Sequence, residues 1–350
     1  MKTEKFSLEK LVRPNVAKLK PYSSARDEYK STGGKMVFLD ANENPFDNGV
    51  NRYPDPQQRD LKSALASLKK VKPEQLLLGN GSDEVLDLLY RAFCEPKEDN
   101  IITLPPTYGM YKVLAETNNI ENREVLLTNN FEPNVKQILA TTDENSKLLF
   151  ICSPNNPTGN AFDPQFIKAL LENFNGLVVI DEAYIDFSSY ESWASFLDIY
   201  PNLIIIQTLS KAYGMAGIRL GICVASEAII AILNKIKPPY NVNELTQQKA
   251  LQRVLAEDEV SQEITSILEE REKLMDTLRA INYIEKIYPT DANFVLVKVD
   301  DANLRYQQLI EQGVVIRNRT TQPLCENTLR LTVGTSNENA QLIKALKAIA

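Results

Sequence analysis

Residues 203–221 read Leu203-Ile204-Ile205-Ile206-Gln207-Thr208-Leu209-Ser210-Lys211-Ala212-Tyr213-Gly214-Met215-Ala216-Gly217-Ile218-Arg219-Leu220-Gly221. The opening run, 203–206, is continuously apolar, which predicts a strand buried on both faces. Two hydroxyls, Thr208 and Ser210, follow it and bracket one position before a single lysine, Lys211. Glycines at 214, 217 and 221 let the backbone turn tightly, and Arg219 comes eight residues after the lysine. Hydroxyls, a guanidinium and flexible backbone around one amine suit a bound phosphate with a carbonyl nearby, because a lysine amine can form a Schiff base with that carbonyl. Alone, the stretch reads equally as a surface lysine in a glycine-containing loop.

Neighbouring segments decide between the two readings. Apolar strands are predicted over 147–152, ending in Ser153-Pro154-Asn155-Asn156-Pro157-Thr158-Gly159, and over 177–180, ending in Asp181-Glu182-Ala183-Tyr184. A shorter strand, 101–104, runs into Pro105-Pro106-Thr107-Tyr108-Gly109, and helical stretches such as 165–173 alternate with the strands. This alternation predicts an α/β fold with a mostly parallel, doubly wound sheet. Asn155 and Asn156, Asp181 and Tyr184, and Thr208, Ser210 and Lys211 all follow strand C-termini, where open α/β sheets bind their ligands. Upstream, residues 76–78 enter Gly79-Asn80-Gly81-Ser82-Asp83-Glu84, where Ser82 or Asp83 can cap the next helix. Glycines leading into a helix N-terminus form an anion site, since the first N–H groups have no intrahelical partner.

Residues 1–30 carry scattered apolar positions and read as an arm that packs with the small domain; 31–240 read as the large domain and 241–350 as the small one. Beyond Asp258 a long amphipathic helix, strands over 293–299, 314–316 and 328–333, an intervening helix ending before Gly313 and a final helix predict a smaller α+β domain.

Composition excludes whole classes. Hydrophobic content of 43% and charged content of 24% are ordinary for a globular protein, and a net charge of −7 argues against nucleic-acid binding. No apolar run reaches the length of a membrane span, residues 1–10 lack the apolar core of a secretory signal, and the four scattered cysteines read as reduced thiols of a cytoplasmic protein. There is no histidine, which removes Ser-His-Asp and Cys-His catalysis and the usual zinc sites, so proton transfer must run on Lys, Tyr, Asp, Glu or a cofactor.

The ordered set Ser153–Gly159, Asp181–Tyr184 and Thr208–Gly214 with Arg219 downstream resembles the fold-type-I pyridoxal-phosphate aminotransferases, and the likeness spans essentially the whole chain. Further motifs, among them Pro21-Tyr22, Asn51-Arg52-Tyr53-Pro54, Gly79–Glu84, Pro105–Tyr111 and Leu329–Thr335, resemble the branch acting on histidinol phosphate, with 2-oxoglutarate and glutamate as the other pair. The resemblance implies pyridoxal 5'-phosphate bound to Lys211, with Asp181 at its ring nitrogen, Tyr184 and Asn156 at its ring hydroxyl, and Tyr108 stacked on its face. It places the cofactor phosphate on Gly81, Ser82 and Asp83 with Thr208, Ser210 and Arg219, and adds Tyr53 from a neighbouring subunit in a homodimer with shared active sites. Arg330, Arg317 and Tyr22 are the implied substrate contacts. An aromatic amino acid aminotransferase and a threonine-phosphate decarboxylase of the same fold stay open as alternatives.

Overall fold

The computed structural model describes residues 6–21 and 37–349. Its larger sheet holds β1 (Leu76–Asn80), β2 (Asn100–Thr103), β3 (Glu121–Glu124), β4 (Ser146–Cys152), β5 (Leu177–Asp181), β6 (Leu203–Thr208) and β7 (Leu220–Ala225), in the order β1-β7-β6-β5-β4-β2-β3. The run from β6 to β3 is parallel throughout; β7 is antiparallel to both β6 and β1. β7 reverses because the segment 209–219 holds no crossover helix and returns the chain beside β6, a connection that suits antiparallel pairing.

Alternate residues of the central strands enter two separate cores, as a sheet buried on both faces requires. Leu77, Leu148, Phe150, Val179, Ile204 and Ile206 face one side. There they meet α3 (Gly81–Phe93), α4 (Met110–Thr117) and α7 (Glu227–Asn234). Leu76, Leu149, Ile151, Val178, Ile180 and Ile205 face the other. They are covered by α2 (Arg59–Lys69), α5 (Val135–Thr141), α6 (Pro164–Asn173) and α8 (Glu244–Val254). The arm, expected to pack with the small domain, instead lays its described residues on the large one. Phe6, Leu8, Leu11 and Val12 join the first core, a short helix α1 (Pro14–Lys18) follows, and Arg13 pairs with Glu95 at 3.1 Å.

The smaller unit opens with α9 (Glu257–Leu278) and carries β8 (Ile284–Ile287), β9 (Phe294–Val299), α10 (Ala302–Glu311), β10 (Arg317–Asn318), β11 (Thr328–Thr332) and α11 (Ser336–Ala348). Its antiparallel sheet runs β10-β11-β9-β8. Val295, Val297 and Val299 pack under α9, α10 and α11, whereas Phe294 and Leu296 turn the other way into the core of the large unit. β9 therefore joins the two units.

Two local expectations are corrected. The stretch expected as a strand over 314–316 lies outside the ladder; pairing starts at Arg317, opposite Arg330, so Arg317 lies in the strand rather than after it. The cap expected from Ser82 or Asp83 is not formed: α3 starts at Gly81, which has a φ of +72°, and both residues stand inside the first turn. Gly81 turns the chain abruptly from β1 into the helix, a conformation that a side chain would oppose.

β7 lies so close to this turn that a Cβ on Gly221 would stand 2.3 Å from the carbonyl carbon of Gly81 and from the nitrogen of Ser82. Both are backbone atoms and cannot move aside singly. Gly221→Ala is expected to destabilise the protein by about 1–3 kcal/mol, the usual range for an overpacked site. A fall in the denaturant midpoint without a change of slope checks it.

Candidate active site

A cavity of about 520 Å³ opens where β1, β4, β5 and β6 end, between the two sheets. Each wall follows from its element. Asp181 is the last residue of β5 and is 4% exposed. Its Oδ2 accepts a hydrogen bond from the Tyr111 hydroxyl at 2.7 Å, and its Oδ1 accepts one from the Ala183 N–H at 3.1 Å. Burial pushes its carboxyl above the usual value, and the Tyr111 bond acts against that.

Behind β4, Asn155 is wholly buried and spent on internal bonds: it donates to the Pro106 carbonyl at 2.9 Å and accepts from the Thr107 hydroxyl at 3.1 Å. Asn156 is left facing the cavity, where its Nδ2 donates to the Tyr184 hydroxyl at 3.5 Å and its Oδ1 accepts from Arg330. The Tyr184 ring meets Phe294 edge-on at 5.2 Å, and the Lys211 Nζ lies 5.8 Å from its centre. Lys211 stays open to water, yet its ammonium is held below the usual lysine value, first by desolvation among the cavity walls and then by the charge of Arg330.

The floor is a polar cradle. Ser210 N–H donates to the Thr208 hydroxyl at 3.1 Å, and that hydroxyl lies 3.1 Å from the Leu220 carbonyl. Arg219 is fixed in a left-handed turn (φ +56°), with its carbonyl accepting from Gly81 N–H at 2.9 Å and its guanidinium 3.7 Å from Asp83. Tyr108 donates to Asp83 at 3.0 Å. Gly81 itself does not line the cavity; Ser82 and Asp83 do.

The roof comes from the small sheet. Arg330 on β11 pairs opposite Leu296, whose side chain points into the large unit, and cross-strand neighbours share a face. Arg317 pairs opposite Arg330 in turn. Arg319, two residues further and therefore on the same side, also lines the cavity, as does Gln322. Among the described residues, Arg319 Nε, Arg330 Nε and Gln322 Oε1 are buried without a hydrogen-bond partner. Burial, with the charges of Arg330 and Arg317, lowers the Arg319 guanidinium to about 10.

Tyr53 is not part of this cavity. It is half exposed, stacks on Tyr240 at 4.5 Å, and lines a separate surface cavity with Val50 and Leu245. Tyr22 lies outside the described residues. Sequence reasoning overlooked Tyr111, Arg319 and Gln322. The Arg-Asn-Arg spacing was a usable signal for Arg319; Tyr111 stands three residues after Tyr108 but is recognisable only once α4 is packed.

A lysine held below its ordinary value carries more neutral amine at a given pH. In the cofactor-free protein, Lys211 is expected to be acetylated with a lower pH midpoint than Lys72, whose ammonium is held above the ordinary value by Glu227. Mass spectrometry across a pH series measures both sites in one sample.

The family model "Aminotransferase class I and II" matches residues 33–346. A histidinol-phosphate aminotransferase of Flavobacterium johnsoniae is 66% identical over 98% of this chain and 99% of its own. Among solved structures, the histidinol-phosphate aminotransferase of Clostridium acetobutylicum is similar with a TM-score of 0.80, at 24% identity over 86% of this chain and 91% of that one. The Sinorhizobium meliloti histidinol-phosphate aminotransferase in complex with pyridoxal-5'-phosphate is similar with a TM-score of 0.76, at 22% identity over 85% and 84%.

Proposed function

The chain belongs to the aminotransferase class I and II family, and we propose that it moves an amino group between L-histidinol phosphate and 2-oxoglutarate, giving imidazole acetol phosphate and glutamate, a step of histidine biosynthesis. The observation that carries the substrate is the 66% identity, over nearly the whole of both chains, to the Flavobacterium johnsoniae histidinol-phosphate aminotransferase. Pyridoxal 5'-phosphate is the cofactor: when bound, it supplies an aldehyde for the donor amine and a ring that withdraws electrons from the substrate carbon.

The cavity's chemistry fits that group. A carboxylate buried among few compensating charges suits a protonated ring nitrogen, and the close approach of Gly221 to the Gly81–Ser82 backbone leaves N–H groups, hydroxyls and Arg219 around a space suited to a phosphate. Lys211 would hold the cofactor through its amine; freed by substrate, that amine, held below the usual lysine value, would carry the proton between the substrate carbon and the cofactor carbon. Asp181 pairs with the ring nitrogen and favours its protonated state. Tyr184 and Asn156 hydrogen-bond the ring hydroxyl, and Tyr108 covers the ring face. The Ser82 and Asp83 N–H groups, Thr208, Ser210 and Arg219 would hold the phosphate; the Gly81 N–H, which donates to the Arg219 carbonyl, acts by fixing the turn. Arg330 and Arg317 bind the phosphate of histidinol phosphate and the carboxylates of glutamate in turn, since a planar guanidinium pairs with either anion through two hydrogen bonds. Tyr22 is assigned to the phosphorylated substrate.

The purified protein is expected to be yellow, to be labelled at Lys211 after borohydride reduction and peptide mapping, and to transfer the amine of histidinol phosphate to 2-oxoglutarate in preference to that of phenylalanine. A label on another lysine refutes the cofactor assignment; equal turnover of unphosphorylated histidinol refutes the substrate, and release of carbon dioxide from threonine phosphate favours the decarboxylase instead.

The partner is a second copy of the chain. Val50, Tyr53 and Leu245 are large and exposed and line one surface cavity, and Val37, Leu39 and Phe46, from the same stretch of chain as Val50 and Tyr53, are exposed as well, which supports a partner on this segment. A homodimer covering them brings Tyr53 to the neighbouring cofactor phosphate. The four buried free thiols support a cytoplasmic location. Tyr53→Phe and Lys211→Ala subunits, each severely impaired alone, are expected on mixing to recover about a quarter of wild-type activity, because random re-pairing leaves one intact site in each mixed dimer. A fully active monomer in sedimentation contradicts the arrangement.

A further inference from the structure

We propose that Tyr111 is the positioning residue of the Asp181 carboxylate: from α4 it donates its phenolic hydrogen to Asp181 and so keeps that side chain anionic whatever the protonation state of Lys211. This rests on the reading that Asp181 serves the cofactor's ring nitrogen.

Tyr111 is fully buried and cannot swing away. Its ring stacks on Phe150 at 4.9 Å, Phe150 stacks on Tyr90 at 5.4 Å, and Tyr108 meets its ring edge-on at 5.6 Å. The Tyr90 hydroxyl donates to the Tyr111 carbonyl at 2.7 Å, tying α3 to α4. The 2.7 Å contact to Oδ2 of Asp181 is thus the end of a rigid aromatic column rather than a chance rotamer.

The direction of donation is fixed. Burial and the nearby carboxylate hold the Tyr111 phenol well above its ordinary value, so it remains a donor at any working pH. Other groups around Asp181 compensate it poorly. From α3, Asp83 repels it. From β4, Cys152 is kept as a neutral thiol by burial. Tyr108 and Tyr184 are likewise held protonated by burial. Lys211, beyond β6, helps only while charged, and it must be neutral when it acts as a base. Among the described residues, the Ala183 N–H and the Tyr111 hydroxyl are the donors to the Asp181 carboxylate, and neither depends on the charge of Lys211.

The test uses the cofactor-loaded enzyme with pyridoxal phosphate labelled with 15N at its ring nitrogen. Tyr111→Phe keeps the ring stack and removes only the hydroxyl. The 15N signal is expected to move toward the unprotonated ring. Cofactor affinity, titrated by fluorescence on the stripped protein, is expected to fall about 10-fold to 100-fold, the size of one lost hydrogen bond to a charged group. Replacing Tyr111 with 3-fluorotyrosine, a stronger donor of nearly the same shape, is expected to leave the ring protonated and the affinity undiminished. Wild-type 15N shift and affinity in Tyr111→Phe overturn the proposal, as does a fluorotyrosine variant that moves in the same direction as Phe. If Asp181→Asn itself leaves the 15N signal of the wild type unchanged, the Asp181 assignment falls and this inference with it; if that variant shifts the signal and Tyr111→Phe does not, the role of Tyr111 alone fails.

Discussion

A carboxylate buried at the end of a central strand is costly unless its surroundings compensate it, and the architecture around β5 is arranged to do so. Asp181 pairs in register with Cys152 of β4 and Ile206 of β6, as far from a sheet edge as this fold allows. The next residue, Glu182, is also buried, and successive strand residues point to opposite faces. Its oxygens accept from the Ser192 hydroxyl at 2.6 Å, the Trp193 N–H at 2.7 Å and the Gln207 amide at 2.8 Å. Two adjacent carboxylates are thereby clamped from opposite sides. The backbone between them is tied to both neighbouring strands, with Ser153 N–H donating to the Asp181 carbonyl at 3.0 Å and Glu182 N–H to the Ile206 carbonyl at 2.7 Å, and Tyr184 follows two residues on at the cavity wall.

This central region was the most legible part of the sequence, for a physical reason. Strands covered on both faces must be apolar at every position, so β4, β5 and β6 stand out as unbroken runs, and the polar residues that end them mark the rim. β3, Glu-Asn-Arg-Glu, was missed because an edge strand is held by backbone pairing to β2 alone and needs no apolar side chains. β7 was absorbed into the preceding loop because Gly221 interrupts its run, although that glycine is what allows the close crossing over Gly81. Tyr111 was visible as a letter in Pro105–Tyr111, but its bond to Asp181 spans seventy residues and exists only once α4 docks beside β4.

The substrate side depends on register more than on composition. Arg330, Arg317 and Arg319 belong to a sheet whose other face packs under α9, α10 and α11; a slip of one residue in β11 against β9 would turn Arg330 into that apolar core and move Leu329 or Leu331 to the cavity. Phe294 and Leu296 prevent the slip, since they are locked into the core of the large unit. The sequence reading had the strand and its arginine but misplaced the short partner strand by three residues. That partner is only two residues long, with a buried Ile316 before it that reads as the end of an apolar strand.

The charges settle what such a cavity asks for. Lys211, Arg219, Arg317, Arg319 and Arg330 line it against two carboxylates, Asp83 and Asp181, in a chain whose net charge is −7. Among the described residues, none of the three roof arginines makes an ion pair, and each is better placed to meet an incoming anion than to stabilise the fold. Burial, and then the charges of Arg330 and Arg317, hold the Arg319 guanidinium below its ordinary value. Anions on the Arg219 floor and under the Arg317–Arg330 roof, as proposed for the two phosphates and the glutamate carboxylates, would relieve this arrangement. A cationic cleft in an acidic surface also focuses the field on its mouth and draws anions toward it. A donor without an anionic group would leave the three roof arginines uncompensated, so this charge distribution fits the proposed reading, in which both amine donors carry their own negative charge.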